Sequence, residues 1–551
     1  MVRIIKTADY EFKTKPLIHQ GKVFEIARDR EEFGYLMDMG TGKTKSTIDD
    51  AAWNYANGRI NFFLVSAPND VHREWARKEI PKHLPDWVER RVCVWSSTMK
   101  KADWEDYWSL WDTEFTGLRI LVVNFEAFSA QVQYWKTASK DKKKPRFGTA
   151  ITQILNAFNV FWAVDESIFI KTPGATRTKR IINLGGKAKV RRILNGTLGD
   201  PLETYAQFLF LNPSILGYTN YFSYKHRYAE WETERNWKSG KNYEVLKGWR
   251  HLDELQGKIN ANSFRVLKKD CLDLPQKLYK RRPVSFDKEQ KRIYEKLKQR
   301  SILELKREDT TVANVLVKYL RLQQVIGGWL PNVDAVTGEA LDSTPMFENA
   351  KDNPRIKVMI DVIEQNKGQS CIIWARFRAE IEAITAHLNK KYGKDAARAF
   401  YGGTPKADRE DIIDGFQSGK YTFFVGQQHS GGFGLNLTAA TLVIYYSNDF
   451  SLIARMQSED RCHRIGQHNP VLYVDLEVQG SLDTRILAAL LSKKSLADLV
   501  VGDDPSTWFG EVTEAQSMVL GAIGDALGMA GMTFADRVSS NRYPMNSPPE
   551  K

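Results

Sequence analysis

Phosphate oxygens are held best by many donors at close range, and the stretch Gly40-Thr41-Gly42-Lys43-Thr44 is composed for that task. Glycines let backbone N–H groups approach a ligand, the N-terminus of the helix-patterned run Lys45–Trp53 adds a dipole, and Lys43 adds a point charge for β- and γ-phosphates. Thr44 is placed to ligate Mg²⁺ through its hydroxyl. The strict pattern G-x-x-x-x-G-K-[ST] is broken at its first position, where Met37 stands, and a glycine turn with a solvated lysine is the competing reading. A second group of residues weighs against that alternative. The apolar run Val160–Val164 leads directly into Asp165-Glu166-Ser167. One carboxylate at the C-terminal edge of a strand can hold Mg²⁺ through water, and its neighbour can orient and deprotonate an attacking water. A glycine–lysine–threonine loop followed well downstream by a strand-ending acidic pair is the order expected of phosphoryl transfer, with Lys43, Asp165 and Glu166 carrying the chemistry.

Those side chains need strands that end in loops, and the chain supplies them. Short continuous apolar runs recur at Phe62–Val65, Ile120–Val123, Val160–Val164, Cys371–Trp374, Phe423–Val425, Leu442–Tyr446 and Val471–Val474. Runs without alternation suit strands buried on both faces of a parallel sheet. Helix-patterned stretches lie between them, among them Arg73–Ile80, Asp408–Phe416 and Leu452–Cys462. The alternation predicts an α/β fold and occurs twice, so two related lobes are expected, residues 1–215 and 351–505. Residues 216–350 are charged, aromatic and mainly helix-patterned, best at Asp287–Arg307, and are expected to form an insertion or bridge. Residues 506–551 form a tail to which no function is assigned. At 551 residues, two or three domains are the natural expectation. No apolar run is long enough for a bilayer and no leader pattern opens the chain, which favours a cytoplasmic protein. Four scattered cysteines contain no C-x-x-C pair, so neither zinc nor a disulfide framework is expected. The net charge of +13 favours a polyanionic partner.

Further motifs bring a family into view. Pro16–Gln20, Ser66-Ala67-Pro68 with Trp75, Asn124-Phe125-Glu126, Asp165-Glu166 and Asn195-Gly196-Thr197 occur in the order of superfamily 2 helicase motifs. Asp273–Lys277 with Gln290 and Tyr294 resembles the "D-L-P-x-K … Q … Y" stretch of Swi/Snf-type proteins. Gly431–Leu437 resembles their "G-G-x-G-L-N-L", and Gln457–Gln467 their "Q-x-x-D-R-x-H-R-I-G-Q". The chain therefore resembles the Swi/Snf-related DNA translocases over roughly residues 10–500. That resemblance implies two RecA-like lobes with ATP and Mg²⁺ between them. It implies adenine reading by Gln20 and ATP binding by Gly40, Thr41, Gly42, Lys43, Thr44, Lys45 and Gly434. It implies arginine fingers at Arg461 and Arg464, which are spaced to share one face of a helix or its exit turn. Phosphates of a nucleic-acid strand would be met by Ser66, Pro68 and Asn124. The sequence departs from the family at Ser167-Ile168, at Asn195 and Leu198, and at Gln428-His429-Ser430, positions that bear on how hydrolysis is linked to motion.

For the track itself, Lys140–Arg146 forms a basic loop whose Lys142, Lys143 and Lys144 can grip backbone phosphates, or can simply be solvated. Tyr224, Lys225, Arg227, Trp231, Trp237, Lys238 and Lys241 mix cations with aromatics; packing within the insertion ranks ahead of base stacking there. The expectation is a DNA-dependent ATPase acting on duplex or branched DNA without sequence preference, in bacterial or viral genome maintenance rather than nucleosome remodelling. It would sit with the nucleoid, or in the host cytoplasm if viral. A strand-separating helicase shares the same motor motifs. A non-catalytic DNA-binding module with a degenerate ATP site and an RNA-directed motor are the alternatives.

Overall fold

The structure is a computed structural model that describes residues 10–69, 71–130, 135, 144–196, 198–235, 242–307, 312–331, 343–428, 435–449, 451–484, 486, 487 and 490. The chain divides into two compact units, with the boundary at Asp273 and Leu274.

The first unit is built on seven parallel strands. They are β1 (Glu32–Met37), β2 (Phe62–Ala67), β3 (Arg90–Val94), β4 (Leu118–Asn124), β5 (Val160–Asp165) and β6 (Val190–Asn195). After a separate antiparallel hairpin, β7 (Ala229–Arg235) with β8 (Asn242–Trp249), the seventh strand is β9 (Ser263–Val266). The order across the sheet is β3-β4-β2-β5-β6-β1-β9. Successive residues of one strand enter different cores: Phe62 and Leu64 join the cluster around Trp162, Phe208 and Ile154, whereas Phe63 and Val65 join Trp75, Ile48 and Trp53. Burial on both faces is why these strands read as continuous apolar runs.

The second unit repeats the plan with β10 (Lys277–Val284), the short ladder β11 (Trp329–Leu330) with β12 (Thr344–Pro345), and then β13 (Cys371–Trp374), β14 (Ala397–Phe400), β15 (Phe423–Gly426), β16 (Leu442–Tyr445) and β17 (Val471–Val478). Its main sheet has the order β10-β17-β16-β13-β15-β14, again parallel throughout. Cys371 and Ile373 face one core and Ile372 and Trp374 the other.

Residues 216–350 contain the helices Tyr221–Tyr228, Leu252–Ala261, Lys288–Arg307 and Val312–Gly327, in keeping with their helix-rich pattern. They also contain strands that the pattern did not suggest: the hairpin, β9 in the first sheet and β10 in the second. Among the described residues no helix is long and apolar enough to cross a membrane. All four cysteines are free; Cys93, Cys371 and Cys462 are buried and Cys271 is half-buried.

Candidate functional site

The glycine loop leaves β1 at Met37 and enters the helix Lys43–Ala56. Gly40 and Gly42 both have positive φ, +79° and +93°, which glycine adopts without a steric penalty. A Cβ at Gly42 would lie 2.1 Å from Gln20 Nε2, so a side chain there would push Gln20 off the loop. Lys43 is buried, and its ammonium donates to the carbonyls of Met37 (2.7 Å) and Asp38 (3.3 Å). The residue that breaks the sequence pattern therefore holds the lysine through its backbone, which any residue type can do. The loop is braced from outside. Its Thr41 carbonyl receives Gln20 Nε2 at 2.9 Å and lies 2.7 Å from His19 Nε2. Asp38 accepts from the Lys268 amide at 2.8 Å.

Two expected nucleotide contacts look different in place. Gln20 Oε1 accepts the Leu17 amide at 2.9 Å, so both ends of the Gln20 side chain engage the protein's own backbone. Lys45 is buried in an ion pair with Asp49 at 2.6 Å, one turn along the same helix, and its charge is committed there rather than to the loop. The pairing follows from helix geometry, because residues i and i+4 share a face. Thr41 is buried and Thr44 half-buried.

The acidic pair lies at the end of β5, on the same carboxyl edge of the parallel sheet as the glycine loop. Asp165 Oδ2 accepts the Trp75 indole N–H at 2.8 Å, and Oδ1 accepts the Glu166 amide at 3.0 Å. Burial lifts the Asp165 carboxyl above the usual range, opposed by the Trp75 hydrogen bond and the Lys43 charge. Glu166 has φ +50° and ψ +60°, a left-handed conformation that is uncommon for a residue with a side chain. Trp75 was singled out in the sequence only as part of a motif; its service to Asp165 carries no local sequence signal. Ser167 and Asn195, two departures from the family pattern, both donate to Gln207.

The residues expected on nucleic acid separate into groups. Ser66 is fully buried and its hydroxyl accepts the Trp162 indole N–H at 2.9 Å, while Pro68 is buried as well. Neither reaches the surface, because β2 is covered on both faces. Asn124 caps the following 3-10 turn through the Ala127 amide and donates to Asn69. Asn124, Glu126, Lys144, Arg146 and Trp104 line one cleft of about 480 Å³. Lys142 and Lys143 lie outside the described residues, as do Trp237, Lys238 and Lys241. In the aromatic region Tyr224 is buried, while Lys225, Arg227, Lys247 and Arg250 pair with Glu244, Glu254, Glu232 and Glu230.

In the second unit the helix expected over Leu452–Cys462 ends at Glu459. The Glu459 carbonyl accepts the Tyr473 hydroxyl and the His463 amide, which closes the helix there. Arg461 and Arg464 thus both lie in the exit turn, Arg461 buried and Arg464 half-buried with Nη1 3.3 Å from the Leu435 carbonyl. Gln467 Nε2 donates to the carbonyls of Ala440 and Thr438, fixing the turn against the segment that follows Leu435. Lys277 donates to Glu459 at 3.0 Å; burial opposes its charge, but Asp460 and Glu459 outweigh burial and hold its ammonium above the usual value. Gly434 lies outside the described residues.

A parallel sheet carrying a glycine–lysine–threonine loop after one strand and a strand-ending acidic pair after another defines an α/β protein with RecA-like lobes. Residues 19–327 match the SNF2-related domain and residues 354–466 the helicase conserved C-terminal domain, and the chain belongs to the SNF2-related family. It is 36% identical over 143 residues to the SWI/SNF-related matrix-associated actin-dependent regulator of chromatin subfamily A containing DEAD/H box 1 homolog of Caenorhabditis elegans, covering 26% of this chain and 14% of that protein. It is 25% identical to the putative ATP-dependent helicase/translocase YwqA of Bacillus subtilis, over 86% of this chain and 47% of the relative. It is also 25% identical to the DNA annealing helicase and endonuclease ZRANB3 of Mus musculus, over 88% of this chain and 40% of the relative. The chain thus spans less than half the length of each of these three relatives.

Proposed function

We propose that the protein is a DNA-dependent ATPase that moves along duplex or branched DNA without reading its sequence. The observation that carries this reading is the pairing of a braced glycine–lysine loop with Asp165, whose carboxyl is held by Trp75 within the influence of Lys43, in a chain of the SNF2-related family. The names of the relatives, an ATP-dependent helicase/translocase and a DNA annealing helicase, support the same activity and the same polymer.

In this mechanism the loop amides and Lys43 bind the β- and γ-phosphates, with His19 and Gln20 keeping the loop in shape through Thr41. The cleft of about 680 Å³ beside the loop, lined by Leu17, Ile18, His19, Lys22, Phe264 and Cys271 among others, takes the base. Thr44 and Asp165 fit a hard divalent cation, since each Asp165 oxygen accepts one hydrogen bond and a carboxylate has about four acceptor positions. Bound Mg²⁺ would neutralise charge on the phosphates. Glu166 accepts the proton of the attacking water, and Arg464 stabilises charge on the γ-phosphate. The protein acts in the cytoplasm, at the nucleoid or at viral DNA.

The test measures ATP turnover without nucleic acid and then with single-stranded, duplex and forked DNA and with RNA, for the wild type and Glu166→Gln. Duplex or forked DNA is expected to stimulate most and RNA least. The Glu166→Gln variant should bind nucleotide but turn over at least about a hundredfold more slowly, the scale of a lost general base. Stimulation by RNA equal to that by duplex DNA overturns the substrate, and normal turnover by Glu166→Gln overturns the site.

A further inference from the structure

Gln207 lies on the helix Pro201–Leu211, whose neighbouring residues Ala206, Phe208, Phe210 and Leu211 are buried and apolar. Its amide is fully buried as well. Oε1 accepts the Ser167 hydroxyl at 2.6 Å and Asn195 Nδ2 at 3.0 Å. Nε2 donates to the carbonyls of Leu198 and Glu203, each at 2.9 Å. All four hydrogen-bonding positions of the amide are thereby used, which is what a polar group at zero exposure requires.

The partners give the arrangement its meaning. Ser167 directly follows Glu166 and opens the 3-10 turn Ser167–Ile170, while Asn195 ends β6, the strand paired with β5. One oxygen therefore joins the carboxyl ends of two adjacent strands. The same helix reaches the acidic turn a second time through the Glu203–Lys171 ion pair at 2.5 Å. Glu166, immediately before these ties, is left-handed, a conformation that lasts only where the surroundings impose it. An apolar side chain at 207 would fill the same space with no desolvation to offset, so the amide is best understood by what it holds.

We propose that Gln207 is a positioning residue for hydrolysis: by binding Ser167 and Asn195 through one oxygen, it fixes the backbone that aims Glu166 and ties that backbone to the loop after β6. The inference rests on the ATPase reading above, with Glu166 as base. Gln207 does not touch the nucleotide in this scheme; it acts through Ser167.

The experiment compares steady-state ATPase and thermal melting of the full chain with Gln207→Leu, Gln207→Glu, Ser167→Ala, Asn195→Ala and the Ser167→Ala/Asn195→Ala double variant. Gln207→Leu is expected to lower kcat about tenfold or more while KM for ATP moves less than about twofold, the pattern of a lost orienting contact. Gln207→Glu keeps the acceptor and, when ionised, loses both donors, so its kcat should rise towards the wild type as pH falls, a dependence the wild type lacks. The two alanine substitutions should be non-additive in kcat. A folded Gln207→Leu protein with wild-type kcat overturns the proposal, as does an equal change in kcat and KM. If Gln207→Leu does not fold, strictly additive alanine effects overturn it. Glu166→Gln assayed alongside separates the two levels: normal turnover there removes the base and this inference with it, whereas an inactive Glu166→Gln beside an unaffected Gln207→Leu removes only the role of Gln207.

Discussion

At the scale of single residues, the structure separates side chains that the sequence groups together. Lys43 and Lys45 stand two apart, yet one rests on the carbonyls of the loop and the other is committed to Asp49. Lys43→Ala should abolish turnover with the melting temperature nearly unchanged, whereas Lys45→Ala should leave a buried Asp49 without its partner and lower stability; melting and ATPase assays on both check this. Arg461 and Arg464 divide in the same way. Arg461 is buried, so Arg461→Ala should destabilise the fold by about 1–3 kcal/mol in urea titrations. Arg464 is half-buried, and Arg464→Ala should cost roughly a thousandfold in kcat, the scale of a missing arginine finger, with little change in nucleotide affinity. Loss of affinity to match the loss of turnover would assign Arg464 to ground-state binding. Trp75→Phe should keep its packing on Phe63 but remove the donor to Asp165, lowering kcat with nucleotide binding retained.

At the scale of elements, legibility follows burial chemistry. The seven apolar runs were readable because each strand is covered on both faces. The strand β6 was not, since Val190–Asn195 carries Arg191 and Arg192 near its centre. Arg192 is fully buried and paired with Asp50 at 2.7 Å, with further bonds to the carbonyls of Ala27, Arg30 and Glu31. A cation whose partners come from two other segments, distant in sequence, has no local signature. Arg192→Leu should cost about 3–5 kcal/mol by leaving Asp50 unpaired, and Arg192→Leu/Asp50→Asn should recover part of it. The strand β10 was hidden for the opposite reason: it is an exposed edge bearing Lys280, Arg281 and Arg282. Of the candidate site, the glycine loop and the acidic pair were readable because adjacent residues form them. The braces at Trp75, His19 and Gln207 were not, because long-range hydrogen bonds form them.

Helix capping supplies a pH-dependent test at this scale. Asp200 caps the helix Pro201–Leu211 through the Glu203 amide, and burial, then the charge of Glu203, pushes its carboxyl up to about 6. The unfolded chain binds that proton only below about pH 4, so the folded state holds more protons between pH 4 and 6. This contribution is therefore full at pH 4 and is lost as pH rises through 6. Asp200→Asn keeps a capping oxygen without the ionisable group. Its stability, followed by urea titration from pH 4 to 8, should fall less over that window than the wild type's, by about 1–3 kcal/mol.

For the whole molecule, the net charge of +13 favours a polyanionic partner. Among the described residues, Lys225, Lys247 and Arg250 at the β7–β8 hairpin are each paired with a glutamate, which lowers their availability to phosphates. Lys144 and Arg146 line the cleft beyond β4 together with Asn124. Binding to DNA is expected to be independent of sequence and to weaken steeply with salt, because displaced counterions rather than base edges supply the affinity. Fluorescence anisotropy with two unrelated duplexes across a salt series measures both properties. Unequal affinities that persist at every salt concentration would point to base readout instead.

The free cysteines give the chain a single chemical address. Burial pushes the thiols of Cys93 and Cys462 up to about 12 and raises that of Cys371 as well, so all three are poor nucleophiles sealed in cores. Cys271 is pushed up to about 11, first by burial and then by Asp38, yet it borders the cleft assigned to the base. A small maleimide near neutral pH, where lysines stay protonated, should therefore label Cys271 slowly and ahead of the three buried cysteines, with no engineering of the protein. ATP in the cleft should slow that attachment, and a dye already in place should report the arrival and departure of nucleotide as a change in its emission.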